Sequence, residues 1–148
     1  MTDTKHDYKV QGKKNRKAGK DFEKVVQKDL TNNGWIVFRN SNNCEQVSND
    51  SEDGKVFVFC QTKVKFNPFT RMPMMLQSGF PDFVIVKKFM CNECVEPCGF
   101  EVQFVECKIP GRLSPIEKEK VEFIKSVLGI KVLLASKTAD GKISYLEL

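Results

Sequence analysis

Apolar and polar positions alternate in two distinct periods along this chain. Phe22, Val25, Val26 and Leu30 recur at helical spacing among Lys and Asp residues, which predicts a helix from about Arg16 to Asn33. Asn33-Gly34 supplies its stop, because Gly tolerates a left-handed cap. Trp35 to Arg39 reads as a buried strand, Asn40 to Gly54 as a polar loop and Lys55 to Cys60 as a second strand. Residues 61–78, with Pro68, Pro73 and several Met, predict irregular chain. Phe83–Phe89 and Phe100–Lys108 are strand-like, and the short link between them predicts an antiparallel hairpin. Pairing about the midpoint of that link sets Asp82 opposite Lys108. Ser114, Pro115 and Glu117 form a capping-box start for a helix that runs to about Leu128 and stops at Gly129. Lys131–Ser136 and Ile143–Leu148 are strands separated by an Asp140-Gly141 turn. The expected fold is therefore α/β, a mixed central sheet flanked by helices in the order α-β-β-β-β-α-β-β.

The 148 residues suit one domain with a single substantial core. No apolar run approaches the roughly 18 residues of a membrane span, and residues 1–20 are polar and basic without the apolar segment of a secretory signal. The expectation is a soluble intracellular protein with no membrane partner. Lys and Arg number 24 against 19 Asp and Glu, a net +5 whose placement matters more than its size. Lys9, Lys13, Lys14, Arg16, Lys17 and Lys20 lie close together without an acid among them, a run suited either to a polyanion or to a solvated tail. Residues 1–15 are read as a basic flexible arm and 16–148 as a single domain.

Four residues suggest chemistry. Strand alternation puts Glu106 and Lys108 on one face and Cys107 on the other. The hairpin brings Asp82 beside them, and Glu23 sits at the border of the first helix's apolar face. Two carboxylates are hard ligands for Mg²⁺ or Mn²⁺, and a neighbouring Lys can orient a water or neutralise phosphate charge. By itself a Glu-x-Lys pair is as readily an ion pair at a strand end.

The segments AGKDFEKVVQKDL, GWIVFRN, GFPDFVIV, VECK, GRLSPIEKEKVEFI and KVLLAS, in this order, resemble the PD-(D/E)xK nuclease superfamily. The chain is most similar there to the VRR-NUC group and to the archaeal-type Holliday junction resolvases. The resemblance runs from about Lys17 to Ser136. It implies a restriction-endonuclease-like core interrupted by an insertion at about 42–77, and a Mg²⁺- or Mn²⁺-dependent endonuclease. Asp82, Glu106 and the Cys107 backbone carbonyl would hold the metal, with Glu23, Asp82, Glu106 and Lys108 as the catalytic set. Two positions depart from the VRR-NUC pattern, in which Gln and then an aromatic residue occupy the late helix: here they are Glu117 and Lys120. Glu117 is therefore read as a cap and left outside the catalytic set.

The implied substrate is DNA, branched or otherwise structured, cut by a homodimer in repair or recombination. The alternative is a nuclease-derived module that binds nucleic acid without cutting it, serving a repair or replication partner. Lys13, Lys14, Arg16, Lys17, Arg39, Asn40 and Ser41 are candidate nucleic-acid contacts. Lys63, Lys65 and Arg71, with Phe66 and Phe69 nearby, are weaker ones. Finally, C-x₂-C-x₃-C at a hairpin tip, residues 91–98, could share a structural Zn²⁺ through Cys91, Cys94 and Cys98. Cys60 is the favoured fourth ligand, ahead of Cys44 and His6. Reduced thiols or a disulfide are the other readings of the cluster.

Overall fold

The computed structural model describes residues 4–47, 56–61, 64–66, 69, 71, 73–75, 79–89 and 98–148. Helix α1 (Thr4–Asn32) leads into β1 (Ile36–Arg39). The strands β2 (Asn42–Val47), β3 (Val56–Gln61), β4 (Val64–Phe66) and β5 (Pro73–Met75) follow. Next come β6 (Phe83–Phe89), β7 (Gly99–Cys107), α2 (Pro115–Phe123) with a π-helical continuation over Ile124–Leu128, β8 (Lys131–Lys137) and β9 (Ile143–Glu147). A mixed five-stranded sheet runs β1-β6-β7-β8-β9, with only the β7–β8 pair parallel. The pairs β2–β3 and β4–β5 stand outside it as separate two-stranded sheets.

Side-chain alternation divides the core between the two faces of this sheet. One face carries Phe83, Ile85, Val105 and Ala135, against which α1 buries Phe22, Val26 and Leu30. The other carries Phe104 and Val132, covered by Val121 and Ile124 and by Cys44 and Phe57 of the β2–β3 hairpin. Ser114 caps α2 with both arms of the capping box in place, and Gly129 closes the helical segment at φ 63°, as the Gly stop predicts.

The α/β class with a mixed sheet and flanking helices agrees with the sequence reading, while the element order does not. Three strands, β2, β4 and β5, are additional. The polar NNCEQV of β2 was expected to be loop. It is a strand because VFVFCQ of β3 supplies most of the apolar surface of the pair. The arm is a second difference: from Thr4 onward it is the first half of α1. With no apolar stripe it gives no periodic signal, but Lys and Gln are good helix formers, and Gln11 Nε2 donates to Asn15 Oδ1 one turn on, at 2.9 Å. The hairpin register is a third. Phe83 pairs with Val105, so Asp82 lies across from Glu106 rather than Lys108. A two-residue displacement preserves the side-chain parity, so the intended face survives.

Candidate active site

The site forms where β6 begins and β7 ends. Asp82 is the last residue of a turn fixed by backbone bonds to the chain beyond β1. Asn40 N–H donates to Asp82 O at 2.9 Å and Phe80 N–H to Asn42 O at 3.0 Å. The Asn40 side chain donates to Pro81 O at 2.9 Å and accepts from Asn42 N–H at 3.0 Å. Asn40, expected among the nucleic-acid contacts, thus has both ends of its amide engaged in shaping this turn. Gly79 packs so closely on it that an added Cβ would collide with the Asn40 carbonyl and stand 2.9 Å from Asn42 O, both rigid backbone. Gly79→Ala is therefore expected to displace Asp82 and to lower the melting temperature by several degrees, on the order of 1–3 kcal/mol. Thermal denaturation checks the loss of stability.

Asp82 Oδ2 accepts the Cys107 N–H at 2.8 Å, which fixes this carboxylate on the backbone joining Glu106 to Lys108. The two carboxylates and the lysine therefore meet, as expected from the hairpin. Glu106 is 3% exposed. Its Oε1 lies 3.0 Å from Lys108 Nζ, while its Oε2 is buried without a hydrogen-bond partner among the described residues. Cys107 points to the opposite face and packs against the α1 cluster. Lys108 Nζ also donates to Glu117 Oε1 at 2.7 Å. Glu117 Oε2 meanwhile accepts Ser114 N–H at 2.7 Å, so one carboxylate caps α2 and holds the lysine together.

The electrostatics follow from burial. Desolvation pushes the Asp82 carboxyl up to about 6, with the Cys107 N–H opposing the shift and the Glu23 charge adding to it. Desolvation raises Glu106 to about 8, and the Asp82 charge adds to that. Burial works against the Lys108 ammonium, but Glu117 and Glu106 outweigh it and hold its pKa above the ordinary lysine value. Glu117 is also desolvated, yet its bonds from Lys108 and Ser114 keep it below the usual carboxylate range.

Glu23 is bonded to Arg39 across the α1–β1 contact, so these two expected site residues neutralise one another at the rim. Lys13, Lys14, Arg16, Lys17 and Ser41 are exposed. Phe66, Phe69 and Arg71 are exposed too, whereas Lys63 lies outside the described residues and only the backbone of Lys65 lies within them. Cys91 and Cys94 of the suggested zinc site also fall outside. Cys98 is exposed after that stretch, and Cys60 Sγ lies 3.7 Å from Asn43 O. Among the described residues no group of three or more His, Cys, Asp or Glu side chains gathers to hold a metal.

Sequence reasoning missed two features. The hold of Glu117 on Lys108 could have been found, since only residues 108–114 separate the end of β7 from α2, which keeps the cap near the strand end. The second is Lys120, which is 8% exposed and donates through Nζ to Asn43 Oδ1 at 3.0 Å. The same ammonium lies 5.2 Å from the centre of the Phe80 ring. Lys120 therefore ties α2 to the β2–β3 hairpin and to the turn that bears Asp82. Asn43→Leu removes a partner of a buried cation and is expected to cost about 3 kcal/mol. Lys120→Met, which removes the charge itself, is expected to cost less, as urea denaturation of the two variants would establish. No family model matches the chain, and it has no match among curated proteins or solved structures.

Proposed function

We propose that this chain is a divalent-metal-dependent endonuclease, built on a restriction-endonuclease-like core, that hydrolyses phosphodiester bonds in DNA. The observation that carries this reading is the buried Glu106 carboxylate. One of its oxygens holds Lys108 and the other has no partner among the described residues, with Asp82 alongside. A buried anionic oxygen left unmatched is costly. Two desolvated carboxyls, both raised above their ordinary pKa, are the donor set that a hard cation would relieve. Two carboxylates are a small set, but Mg²⁺ commonly keeps several waters and needs only one or two carboxylates from the protein. The Cys107 carbonyl is the backbone donor that the resemblance implies.

A bound Mg²⁺ or Mn²⁺ would supply Lewis acidity toward a phosphate oxygen and a nucleophile at neutral pH. Asp82, clamped through Oδ2, and Glu106, through Oε2, would hold it. Lys108, fixed between Glu106 and Glu117, presents an ammonium to the charge that develops on phosphorus. Glu117 orients that ammonium from outside the metal ligands. The antiparallel strands β1-β6-β7, the crossover through α2 and the parallel β8 form a mixed sheet compatible with such a core.

Cleavage of a four-way junction, a flap, a plain duplex and a single strand tests the proposal. Cutting with Mg²⁺ or Mn²⁺ that ceases in EDTA is expected, with the branched substrates cut fastest. Wild-type protein that binds these substrates in either metal yet cuts none would replace this reading with a non-cleaving module.

A further inference from the structure

The basic run at the N-terminus is part of a longer feature that only the helix makes visible. Within α1, Lys13, Arg16, Lys17, Lys20, Lys24 and Lys28 are all exposed. At 3.6 residues per turn they fall within an arc of roughly 120°. The core residues Phe22, Val26 and Leu30 occupy another arc, and Glu23 lies on the seam between the two. Lys14 stands off the stripe. Asp21, just beyond its edge, approaches Lys24 only to 4.0 Å, with both side chains mostly exposed. We infer that this stripe of α1 is a preformed rail for the phosphate backbone of double-stranded nucleic acid, leading toward the Asp82–Glu106 pair.

Three observations choose this partner. The first is spacing. From Lys13 to Lys28 the helix rises about 22 Å and the stripe carries six cations, about one per 4.5 Å, a line charge on the order of that of one strand of a duplex, roughly one phosphate per 3.4 Å of its axis. The second is the absence of aromatic residues from the described stripe. Single strands are generally held by stacking bases on aromatic side chains, and here Phe22 of α1 faces the core. The third is anchorage. The C-terminal half of α1 is fixed by its buried residues and by Tyr145 OH, which donates to Asp29 Oδ2 at 2.8 Å, so the rail is rigid with respect to the sheet. Glu23, at the edge of the stripe, is bonded to Arg39, which pairs with Phe83 next to Asp82, and this puts the rail beside the site. The direction toward that site rests on the nuclease reading; the duplex contact does not.

Equilibrium binding in EDTA over a range of salt concentrations, with an unbranched 20-base-pair duplex and with its single strand, separates the two. The rail variant is Lys17→Ala/Lys20→Ala/Lys24→Ala. Its charge-matched control is Lys118→Ala/Lys125→Ala/Lys142→Ala, which lies off α1. Lys→Ala favours helix at exposed positions, and circular dichroism would show that α1 is retained. The expected result for the rail variant is duplex affinity weakened roughly tenfold or more, with the slope of log K against log salt shallower by about 2–3, or about 0.9 per lost phosphate contact. An unchanged slope, an equal loss in the control, or a single strand bound as tightly as the duplex would each overturn the rail. If the rail variant loses binding as expected while wild type cuts nothing with Mg²⁺, the rail stands and the nuclease reading fails.

Discussion

Lys108→Met is expected to lower DNA cleavage by about 10²–10³-fold while metal binding persists. The thioether matches the length of the lysine stem but offers no charge and no donor. Lys108 Nζ lies between Glu106 at 3.0 Å and Glu117 at 2.7 Å, so its position is set before substrate arrives. A charge held in place this way stabilises a transition state without reorganisation, which is why its loss falls on kcat rather than KM. Glu117→Gln keeps the bond from its own N–H to Ser114 Oγ but has one acceptor oxygen where the carboxylate has two, so it serves either Ser114 N–H or Lys108; because Glu106 still holds the ammonium, it should lose much less. Single-turnover cleavage of a labelled junction compares the two. Equal losses would show that Glu117 does more than hold the lysine, and a fully active Lys108→Met would remove the lysine from the reaction.

Metal-free wild-type protein should lose stability as pH rises from about 5 to 8, a trend that Glu106→Gln flattens. Both carboxyls are raised in the folded state: Asp82 to about 6 from 3.8, and Glu106 to about 8 from 4.5. A raised carboxyl means that the folded protein holds its proton to higher pH than the unfolded chain does. Their contribution is therefore fully present below about pH 4 and is lost as pH climbs through 6 and then 8. Each such group sets a slope of up to about 1.4 kcal/mol per pH unit, a change on the order of a few kcal/mol over the window. Divalent cation should reverse the loss most strongly at pH 8, because it competes with protons for the same oxygens. Urea denaturation in EDTA and in Mn²⁺ at several pH values gives these slopes. Wild-type stability that rises between pH 5 and 8 in EDTA would contradict the desolvation of the pair.

Several parts of this molecule were legible from residue order. The helical period of Phe22, Val26 and Leu30, the S-x-x-E box at Ser114 and the alternation that sets Glu106 and Lys108 on one face are local rules, and the structure obeys them. What the sequence obscured depends on tertiary partners. Asn42–Val47 is polar and becomes a strand by pairing with β3. Residues 4–15 lack an apolar stripe, so their helicity had no periodic trace. The hairpin midpoint cannot specify register, because a connection need not turn symmetrically; the displacement was harmless because it was even. Glu117 shows how one assigned role conceals another: the capping box accounts for one carboxylate oxygen and leaves the other for Lys108. Arg39 and Asn40, read as nucleic-acid contacts, also take part in building the site: one is bonded to Glu23 and the other shapes the Asp82 turn. A polar residue beside a site can as easily be building it as serving it.

The pairing of Asp82 with Glu106 as a cation site is tested most directly by Mn²⁺ uptake, followed by electron paramagnetic resonance with no nucleic acid present. Wild type is expected to take up Mn²⁺ saturably at pH 8, and the folded Asp82→Asn/Glu106→Gln variant to take up none at the same concentrations. Undiminished uptake by that variant would place the metal elsewhere and leave the buried carboxylates without the role assigned to them.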